Sequence, residues 1–383
     1  MNDNVMRFRE DGTFHILQVS DPQDLPHARR AMLQMLDRAY DALRPDLVLF
    51  TGDNTLGNHL HDVGYIRVKT ANDPDKTLRK MRRALAQILD PVERRGIPFA
   101  MIYGNHDDMN DVSKQAQFAL YRAYSHCLPM NETDNSVDCD TYCIPIRTAD
   151  GRTAWNLYLL DSAWNDERGQ HCCIKEETVR WYARTSDSLR AQNGGNAVPS
   201  LLFVHVPLPQ TKALLSPCGP DHPGAVRDGG GWACLDAEKA QGVLGESLSV
   251  CGDEYGLADE MRRRGDVRAV ISGHDHLNCF DGAADGLRFI QSGAASFRCY
   301  GGRIRGVREF ILRADDPAHF ATQYYTYDML CGTDFPAQLR YFLDADDKIA
   351  EKYIALGAAS IAFAATALIA GRRTNRKNGK GEK

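Results

Sequence analysis

The chain has 383 residues, of which 43% are hydrophobic, and this supports a proper core in one large domain or a domain with appendages. Its formal net charge of −5 gives no general attraction for nucleic acid, so no nucleic-acid partner is expected. The charge is uneven, because residues 372–383 carry six lysines and arginines against one glutamate.

Five short apolar runs, taken in chain order, each lead into polar residues. Apolar runs bounded by Gly, Pro or Asp are typical of buried strands. The runs cover residues 14–20, 47–50, 99–103, 201–204 and 267–271. Helical patterns lie between several of them, at residues 27–44, 76–95 and 177–192. Strands that alternate with helices predict an α/β fold, in which helices cover the faces of a sheet.

The polar residues that follow the strands form an ordered set of metal-binding groups. Because the carboxyl ends of neighbouring strands converge on one crevice, these groups can meet in a small volume. They suffice for two metal ions and one additional acid or base, and the absence of cysteine argues against a structural zinc site. The set consists of Asp21, Gln23, Asp53, Asn105, His106, His205, His274 and His276.

The order of the motifs resembles the calcineurin-like metallophosphoesterase superfamily. The motifs are Asp21-Pro22-Gln23, Gly52-Asp53-Asn54, Gly104-Asn105-His106-Asp107, the lone His205 and Gly273-His274-Asp275-His276. The stretch His205-Val206-Pro207-Leu208-Pro209 is similar to a branch related to purple acid phosphatases. The resemblance covers residues 12–327. It implies a four-layer α/β/β/α sandwich with a metal site at the carboxyl ends of the strands.

The resemblance also implies a role for each residue. One metal ion would be held by Asp21, Gln23 and His276, the second by Asn105, His205 and His274, and Asp53 would bridge the two. His106 would be the catalytic acid that faces the leaving group, with substrate positioning as the alternative. Asp107 and Asp275 are candidates to orient the ligand histidines, with plain turn chemistry as the alternative.

Two positions depart from the family pattern. Gln23 stands where the family usually has His, and an amide oxygen shifts the metal preference toward Mn²⁺ or Fe²⁺, with Zn²⁺ still open. Purple acid phosphatases carry an iron-binding Tyr three residues after the bridging Asp, where this chain has Leu56. The colour of a ferric tyrosinate should therefore be missing.

The activity that the resemblance implies is that of a dinuclear metal-dependent phosphoesterase. It would hydrolyse phosphate esters through a metal-bridging hydroxide, with His106 as general acid. A phosphomonoesterase acting on a phosphorylated small molecule or a phosphoprotein is favoured. A phosphodiesterase or nucleotide pyrophosphatase would use the same metal site, and a non-catalytic, membrane-tethered binding module is the remaining alternative.

An insertion from Ser216 to Glu254 separates the lone His205 from the last motif and is rich in Gly, Pro and Cys. Loops at such a crevice often shape substrate access, so the insertion is interpreted as a lid or specificity element, with a structural excursion as the alternative. It holds Cys218, Cys234 and Cys251 among eleven cysteines. Free thiols and disulfides both remain open for them.

The C-terminal region predicts an attachment to a membrane. Residues 353–371 contain no charged side chain and would form a helix of ~28 Å, near the thickness of the bilayer core. We predict a single-pass transmembrane helix there, with a soluble helix docked on the domain as the alternative. Residues 1–11 form an N-terminal extension, 328–352 a linker or helical segment, and 372–383 a basic tail. The basic tail favours a cytoplasmic C-terminus, but the lack of an apolar signal region favours a cytoplasmic catalytic domain, which we prefer.

Overall fold

A computed structural model of the chain has a strand at each of the five apolar runs. It describes residues 5–57, 73–110, 112–162, 164–165, 171–172, 174–252 and 254–346. Within these ranges the strands are β1 (Met6–Arg7), β2 (Thr13–Val19), β3 (Leu47–Thr51), β4 (Phe99–Ile102), β5 (Tyr142–Arg147), β6 (Thr153–Leu159), β7 (Trp164–Asn165), β8 (His171–Cys172), β9 (Ser200–Phe203), β10 (Leu215–Pro217), β11 (Val226–Asp228), β12 (Gly231–Leu235), β13 (Ala240–Leu244), β14 (Val267–Ser272), β15 (Asn278–Ala284), β16 (Leu287–Gln291), β17 (Gly306–Arg313) and β18 (Phe320–Thr326).

The three predicted helices are confirmed, with ends that differ by up to three residues. The cap of the second of them explains its start: Asp73 accepts a hydrogen bond from the Lys76 backbone N–H at 3.0 Å, and Pro74 occupies the first turn. The α-helices are α1 (Arg30–Leu43), α2 (Pro74–Arg94), α3 (Asn105–Asp108), α4 (Lys114–Tyr121), α5 (Glu176–Gln192), α6 (Leu257–Arg264), α7 (Tyr327–Cys331) and α8 (Phe335–Asp344), with 3-10 turns at Pro209–Leu214 and Gly302–Ile304.

Two large sheets carry the strands that precede the motifs. The first has the order β18-β17-β2-β3-β4, and the second has the order β1-β5-β6-β9-β14-β16-β15-β13. Strands β2, β3 and β4 are parallel to one another, as are β6, β9, β14 and β16. Their carboxyl ends therefore lie along one edge of each sheet.

The side chains of β9 show how the layers are stacked. Leu201 and Phe203 belong to the larger core, where Phe203 contacts Phe310 of the other sheet with ring centroids 5.8 Å apart. Leu202 points the opposite way, into a second core with Tyr182 of α5 and Met261 of α6. The alternation has the period of two that a strand imposes. With α1 packed on the first sheet, the layers follow the order α/β/β/α, which confirms the predicted sandwich.

The predicted linker or helical segment contains most of α7 and all of α8, both of which pack against α1. Tyr341 of α8 is buried and contacts the ring of Phe297 at 5.1 Å. Beyond this helix, Asp346 accepts two hydrogen bonds from Arg29, at 2.7 and 2.8 Å. Helices α7 and α8 and the residues up to Asp346 are thus docked against α1 and the residues beside it.

The prediction of a single-pass membrane protein is wrong. In the ranges given above, no helix is both long and apolar enough to cross a membrane. Helix α2 has 21 residues but buries one face only and exposes Arg79, Arg82 and Arg83 on the other. The segment 353–371 lies outside the described residues, and its many alanines give it only a modest drive to enter lipid.

Candidate metal centre

Five loops at the carboxyl ends of strands from both sheets meet in one crevice. Asp21 follows β2, Asp53 follows β3, and the Asn105–Asp108 helix follows β4 in the first sheet. His205 follows β9 and His274 follows β14 in the second sheet. Each side chain is positioned by a strand end, which is a rigid support for a metal ligand.

The turns that aim these side chains have unusual backbone conformations. Asp21, Asp53 and His274 have φ angles of 49°, 50° and 74°, in the left-handed region that residues other than glycine seldom adopt. Such residues cost about 1–3 kcal/mol each and cluster at functional sites. Gly104 is needed for a different reason: a Cβ there would lie 2.1 Å from Asp53 Oδ1.

Five of the seven predicted ligands, including both aspartates, form the centre of the crevice. Asp21 Oδ1 lies 3.7 Å from His276 Nε2, and Asp53 Oδ1 lies 3.4 Å from His205 Nε2. His205 Nε2 is also 3.1 Å from Asn105 Oδ1. Donor atoms of Asp21, Asp53 and His276 all lie within 4.8 Å of one another, a spacing that could hold a metal ion.

The other two predicted ligands, Gln23 and His274, lie beside these five. Gln23 donates a hydrogen bond from Nε2 to Asp53 Oδ2 at 2.7 Å. The His274 ring lies 5.2 Å from the His205 ring, and its backbone N–H donates to Asp21 Oδ2 at 3.1 Å. The structure thus brings all seven predicted metal ligands into one crevice.

Backbone carbonyls orient two of the histidine rings. His205 Nδ1 lies 2.9 Å from the Thr51 carbonyl oxygen, and His276 Nδ1 lies 2.8 Å from that of Tyr300. With Nδ1–H held in this way, Nε2 of each ring is left to face the carboxylates.

Asp107 and Asp275 stabilise loops. Their carboxylates accept hydrogen bonds from backbone N–H groups and side-chain amides, and Asp107 also accepts one from the Thr55 hydroxyl. Asp107 accepts from the backbone N–H groups of Asn54 at 2.9 Å and Thr55 at 3.0 Å. Asp275 accepts from Gln291 Nε2 at 2.9 Å. Burial raises the pKa of Asp107 to about 6 and that of Asp275 to about 7. Both carboxylates fix the turns that carry the ligands.

His106 stands at the mouth of the centre. Its backbone N–H donates to Asp53 Oδ1 at 2.8 Å, which ties it to the central carboxylate. Its Nδ1 is buried and has no hydrogen-bond partner among the described residues. His106 lines an open cavity of about 490 Å³ together with Met109, Tyr300 and several of the predicted ligands.

The electrostatics of the centre are dominated by two buried carboxylates. Burial, with the charge of Asp53, raises the pKa of Asp21. Burial would likewise raise the pKa of Asp53, but the neighbouring His205 lowers it well below the usual value. Burial would lower the pKa of His205, yet the carboxylates of Asp53 and Asp21 raise it to about 10. For His276 the effect of burial outweighs the Tyr300 carbonyl and the charge of Asp53, and it lowers the pKa to about 4.

A comparison with protein families assigns the chain. Residues 14–278, which include the five motifs, match the family described as calcineurin-like phosphoesterase. The chain belongs to the calcineurin-like phosphoesterase family. This confirms the resemblance drawn from the motifs.

Relatives of this phosphoesterase chain include plant and yeast proteins. "Probable inactive purple acid phosphatase 14" of Arabidopsis thaliana is 26% identical over 341 residues, covering 79% of this chain and 76% of its own length. "Probable inactive purple acid phosphatase 29" of the same plant is also 26% identical, with coverages of 77% and 75%. "Phosphatase DCR2" of Saccharomyces cerevisiae is 25% identical, covering 70% of this chain and 41% of its own length.

Among solved structures, the phosphoesterase chain is similar to a dimetal phosphatase of Danio rerio. The two are 13% identical with a TM-score of 0.46, covering 82% of this chain and 99% of that one. A purple acid phosphatase from Lupinus luteus seeds is 11% identical with a TM-score of 0.47, covering 85% of this chain and 55% of that one.

Three residues of the crevice were not predicted from the sequence. Cys299 donates from Sγ to Gln23 Oε1 at 2.7 Å, so it holds the one ligand that departs from the family pattern. Tyr300 stacks on the His276 ring at 4.4 Å, and its hydroxyl donates to Glu246 at 2.9 Å. None of the three follows an apolar run or belongs to a motif, so the sequence carried no signal for them.

Proposed function

We propose that the chain is a dinuclear metal-dependent phosphoesterase, and a phosphomonoesterase in preference to a diesterase. The observation that carries the proposal is the orientation of Asp53. Its Oδ1 lies 3.4 Å from His205 Nε2 of one half-site, and a ligand atom of Asp53 lies within 4.8 Å of ligand atoms of Asp21 and His276 of the other. One carboxylate therefore lies close to ligand atoms of both half-sites, as a ligand shared by two ions must.

The chemistry of the crevice fits a pair of cations. Asp21 Oδ1 is buried and accepts no hydrogen bond from any described residue. No lysine or arginine is among the described residues that line the cavity, and the ion pairs that the structure gives Asp21 and Asp53 are with histidines. Buried charge of this kind requires compensation, and carboxylate, amide and imidazole donors suit Mn²⁺, Fe²⁺ or Zn²⁺.

The residues divide into two half-sites around Asp53. Asp21, Gln23 and His276 would hold one ion, and Asn105, His205 and His274 the other. The first half-site has two oxygen donors and one nitrogen donor, since Gln23 can bind only through its amide oxygen. This composition favours Mn²⁺ or Fe²⁺ over Zn²⁺ there.

The protein's own residues supply orientation and a proton. Bound cations would neutralise the phosphoryl oxygens and make a nucleophilic water available near neutral pH. The His106 backbone N–H donates to Asp53 Oδ1 and the residue lines the cavity, which supports a position for its ring beside the ester. From there the imidazole can hand a proton to the departing alcohol, a contribution of ~10²–10⁴ in rate.

The names of the Arabidopsis relatives raise the alternative of a non-catalytic binding module. Against it, the seven ligand positions and His106 all carry residues competent for metal binding or proton transfer. A protein that had lost its chemistry would be expected to lose part of such a set.

The test is hydrolysis by the purified chain supplied with Mn²⁺, using a panel of aryl phosphate monoesters, diesters and nucleotides. We expect monoester turnover, and a loss of roughly 10²–10³ or more in kcat for Asp53→Asn, which removes the central charge. Asp259→Asn, at a site whose side chain is 86% exposed, should leave turnover unchanged. Asp53→Asn with wild-type turnover would overturn the mechanism, and metal-loaded wild type without turnover would favour the binding module.

A further inference from the structure

A second cluster of metal-binding side chains lies in the insertion, within a small sheet of order β10-β12-β11. Cys218, His222 and Cys234 each offer one donor atom, and these three atoms lie within 4.8 Å of one another. His222 Nε2 is 4.0 Å from Cys234 Sγ, and the two thiols are in hydrogen-bond contact. The cluster shares no residue with the crevice around Asp53.

The local fold explains how the three residues meet. Cys234 on β12 is paired with Ser216 on β10, and the Cys218 backbone N–H donates to the Trp232 carbonyl at 3.0 Å. Cys218, directly after β10, and Cys234 on β12 therefore occupy diagonal positions on one face of this antiparallel strand pair.

Two successive turns then bring His222 over the pair of cysteines. The His222 N–H donates to the Gly219 carbonyl at 3.1 Å, and the Ala225 N–H donates to the His222 carbonyl at 2.9 Å. The imidazole is thereby held close to both thiols, on the face of the β10–β12 pair that carries them.

We propose that Cys218, His222 and Cys234 bind one Zn²⁺ ion at a site separate from the candidate dinuclear centre. Tetrahedral zinc binds sulfur at about 2.3 Å and nitrogen at about 2.0–2.1 Å, so its ligand atoms lie roughly 3.5–3.8 Å apart. The observed 4.0 Å between His222 Nε2 and Cys234 Sγ is only slightly longer than this spacing. Thiolate and imidazole ligands together select zinc among the common divalent ions.

The surroundings show what such an ion would contribute. Within residues 215–235 only Val226, Ala233 and Cys234 are buried, so the small sheet has little core of its own. Leu215 and Leu235 pack partly against the second core, and further contacts lie at the surface: Arg227 lies 4.3 Å from the Trp232 ring, and Lys212 pairs with Asp228 at 2.9 Å. Exposed pairs stabilise little, whereas a bound metal ties the strand register directly.

The site is also open. His222 is exposed and three protein ligands leave a fourth position for solvent. We therefore expect the ion to exchange, in contrast to a closed site with four protein ligands.

The experiment loads the full-length chain with Co²⁺ and records the thiolate-to-cobalt charge-transfer absorption. No ligand proposed for the dinuclear centre is a cysteine, so this band reports on the second site alone. We expect the band in the wild type and its loss in Cys218→Ser and Cys234→Ser. Cys299→Ser, which removes the thiol beside Gln23, should keep the band. His222→Ala should weaken Co²⁺ binding by at least about tenfold.

Alkylation of the wild-type cysteines tests the site without variants, so the result does not depend on whether a variant folds. Zn²⁺ should protect Cys218 and Cys234 from alkylation in the wild type, while Cys331, on α7, reacts equally with and without Zn²⁺. A wild type without the thiolate band, equal alkylation of the two cysteines in both conditions, or a Cys218–Cys234 disulfide that forms in the presence of Zn²⁺ would each overturn the proposal.

Discussion

His106 is the residue whose replacement separates catalysis from metal binding. Its side chain is not among the proposed ligands, and its Nδ1 has no hydrogen-bond partner among the described residues. We expect His106→Gln to lower kcat by ~10²–10⁴ while the metal content stays unchanged. The loss should be largest for alcohols that leave poorly, because those need the proton most.

The measurement for His106 is a series of aryl phosphates with leaving groups of graded acidity, together with metal analysis of each protein. His319→Ala, at a side chain 80% exposed, serves as the control. An equal loss for good and poor leaving groups would instead assign His106 to substrate positioning.

His205 predicts a pH dependence of metal binding. In the metal-free crevice the carboxylates of Asp53 and Asp21 outweigh the effect of burial and raise the pKa of His205 to about 10. A metal ion binds neutral imidazole, so binding below this pH must displace a proton. The affinity should therefore rise with pH, by about tenfold per unit for one proton.

Calorimetric titration of the metal-free chain between about pH 6 and 8, in buffers with different heats of ionisation, counts the protons released. An affinity that does not change over this range would contradict the proposed protonation of His205.

The sequence predicts residues of the site that belong to a motif and misses those that act across the fold. Asp21, Asp53 and His205 could be found because each follows an apolar strand. Cys299 could not, since its contact with Gln23 joins residues that are 276 positions apart. Such contacts depend on how the two sheets face each other, which no local pattern encodes.

At the scale of elements, the turn between β4 and α3 is the most demanding. A Cβ on Gly104 would lie 2.1 Å from both the backbone nitrogen and Oδ1 of Asp53. Relieving this clash would require a shift of the Asp53 backbone, which costs more free energy than the rotation of a side chain. We expect Gly104→Ala to destabilise the chain by about 1–3 kcal/mol and to reduce metal binding.

Thermal unfolding and metal titration measure the effect of Gly104→Ala. Gly230→Ala is the matched control, because a Cβ there meets no atom within 4 Å. If Gly104→Ala keeps the wild-type Tm and metal affinity, the turn is more adaptable than its contacts indicate.

Elements with a strong period were predictable, and those made by long-range pairing were not. The patterns at 76–95 and 177–192 correspond to α2 and α5, because each has an apolar face that must be buried. The small sheet in the insertion has strands of three to five residues. Such short strands are stabilised by their pairing with one another, and they are too short to show a clear alternation of apolar and polar residues in the sequence.

At the scale of the molecule, the candidate metal centre lies between the two sheets of the sandwich. Asp21, Asp53 and Asn105 come from the first sheet, and His205 and His276 from the second. Ions bound between them should stabilise the folded chain by about 2.7 kcal/mol when the free metal is 100 times Kd.

Scanning calorimetry with and without chelator tests this stabilisation. We expect chelation to lower Tm by several degrees in the wild type and by much less in Asp53→Asn. A wild-type Tm that does not respond to chelator would show that no ion binds preferentially to the folded chain, which would contradict the proposed centre.

The left-handed turns at Asp21, Asp53 and His274 have a kinetic consequence. Hydrogen bonds within the chain hold them: the Asp21 N–H donates to the Gly52 carbonyl at 3.2 Å, and the His274 N–H donates to Asp21 Oδ2 at 3.1 Å. The donors are therefore in place before an ion arrives, and reloading a stripped chain requires encounter and proton departure but no refolding. Occupancy would then follow the free metal around the protein at each moment, and not the supply that was present when the chain was synthesised.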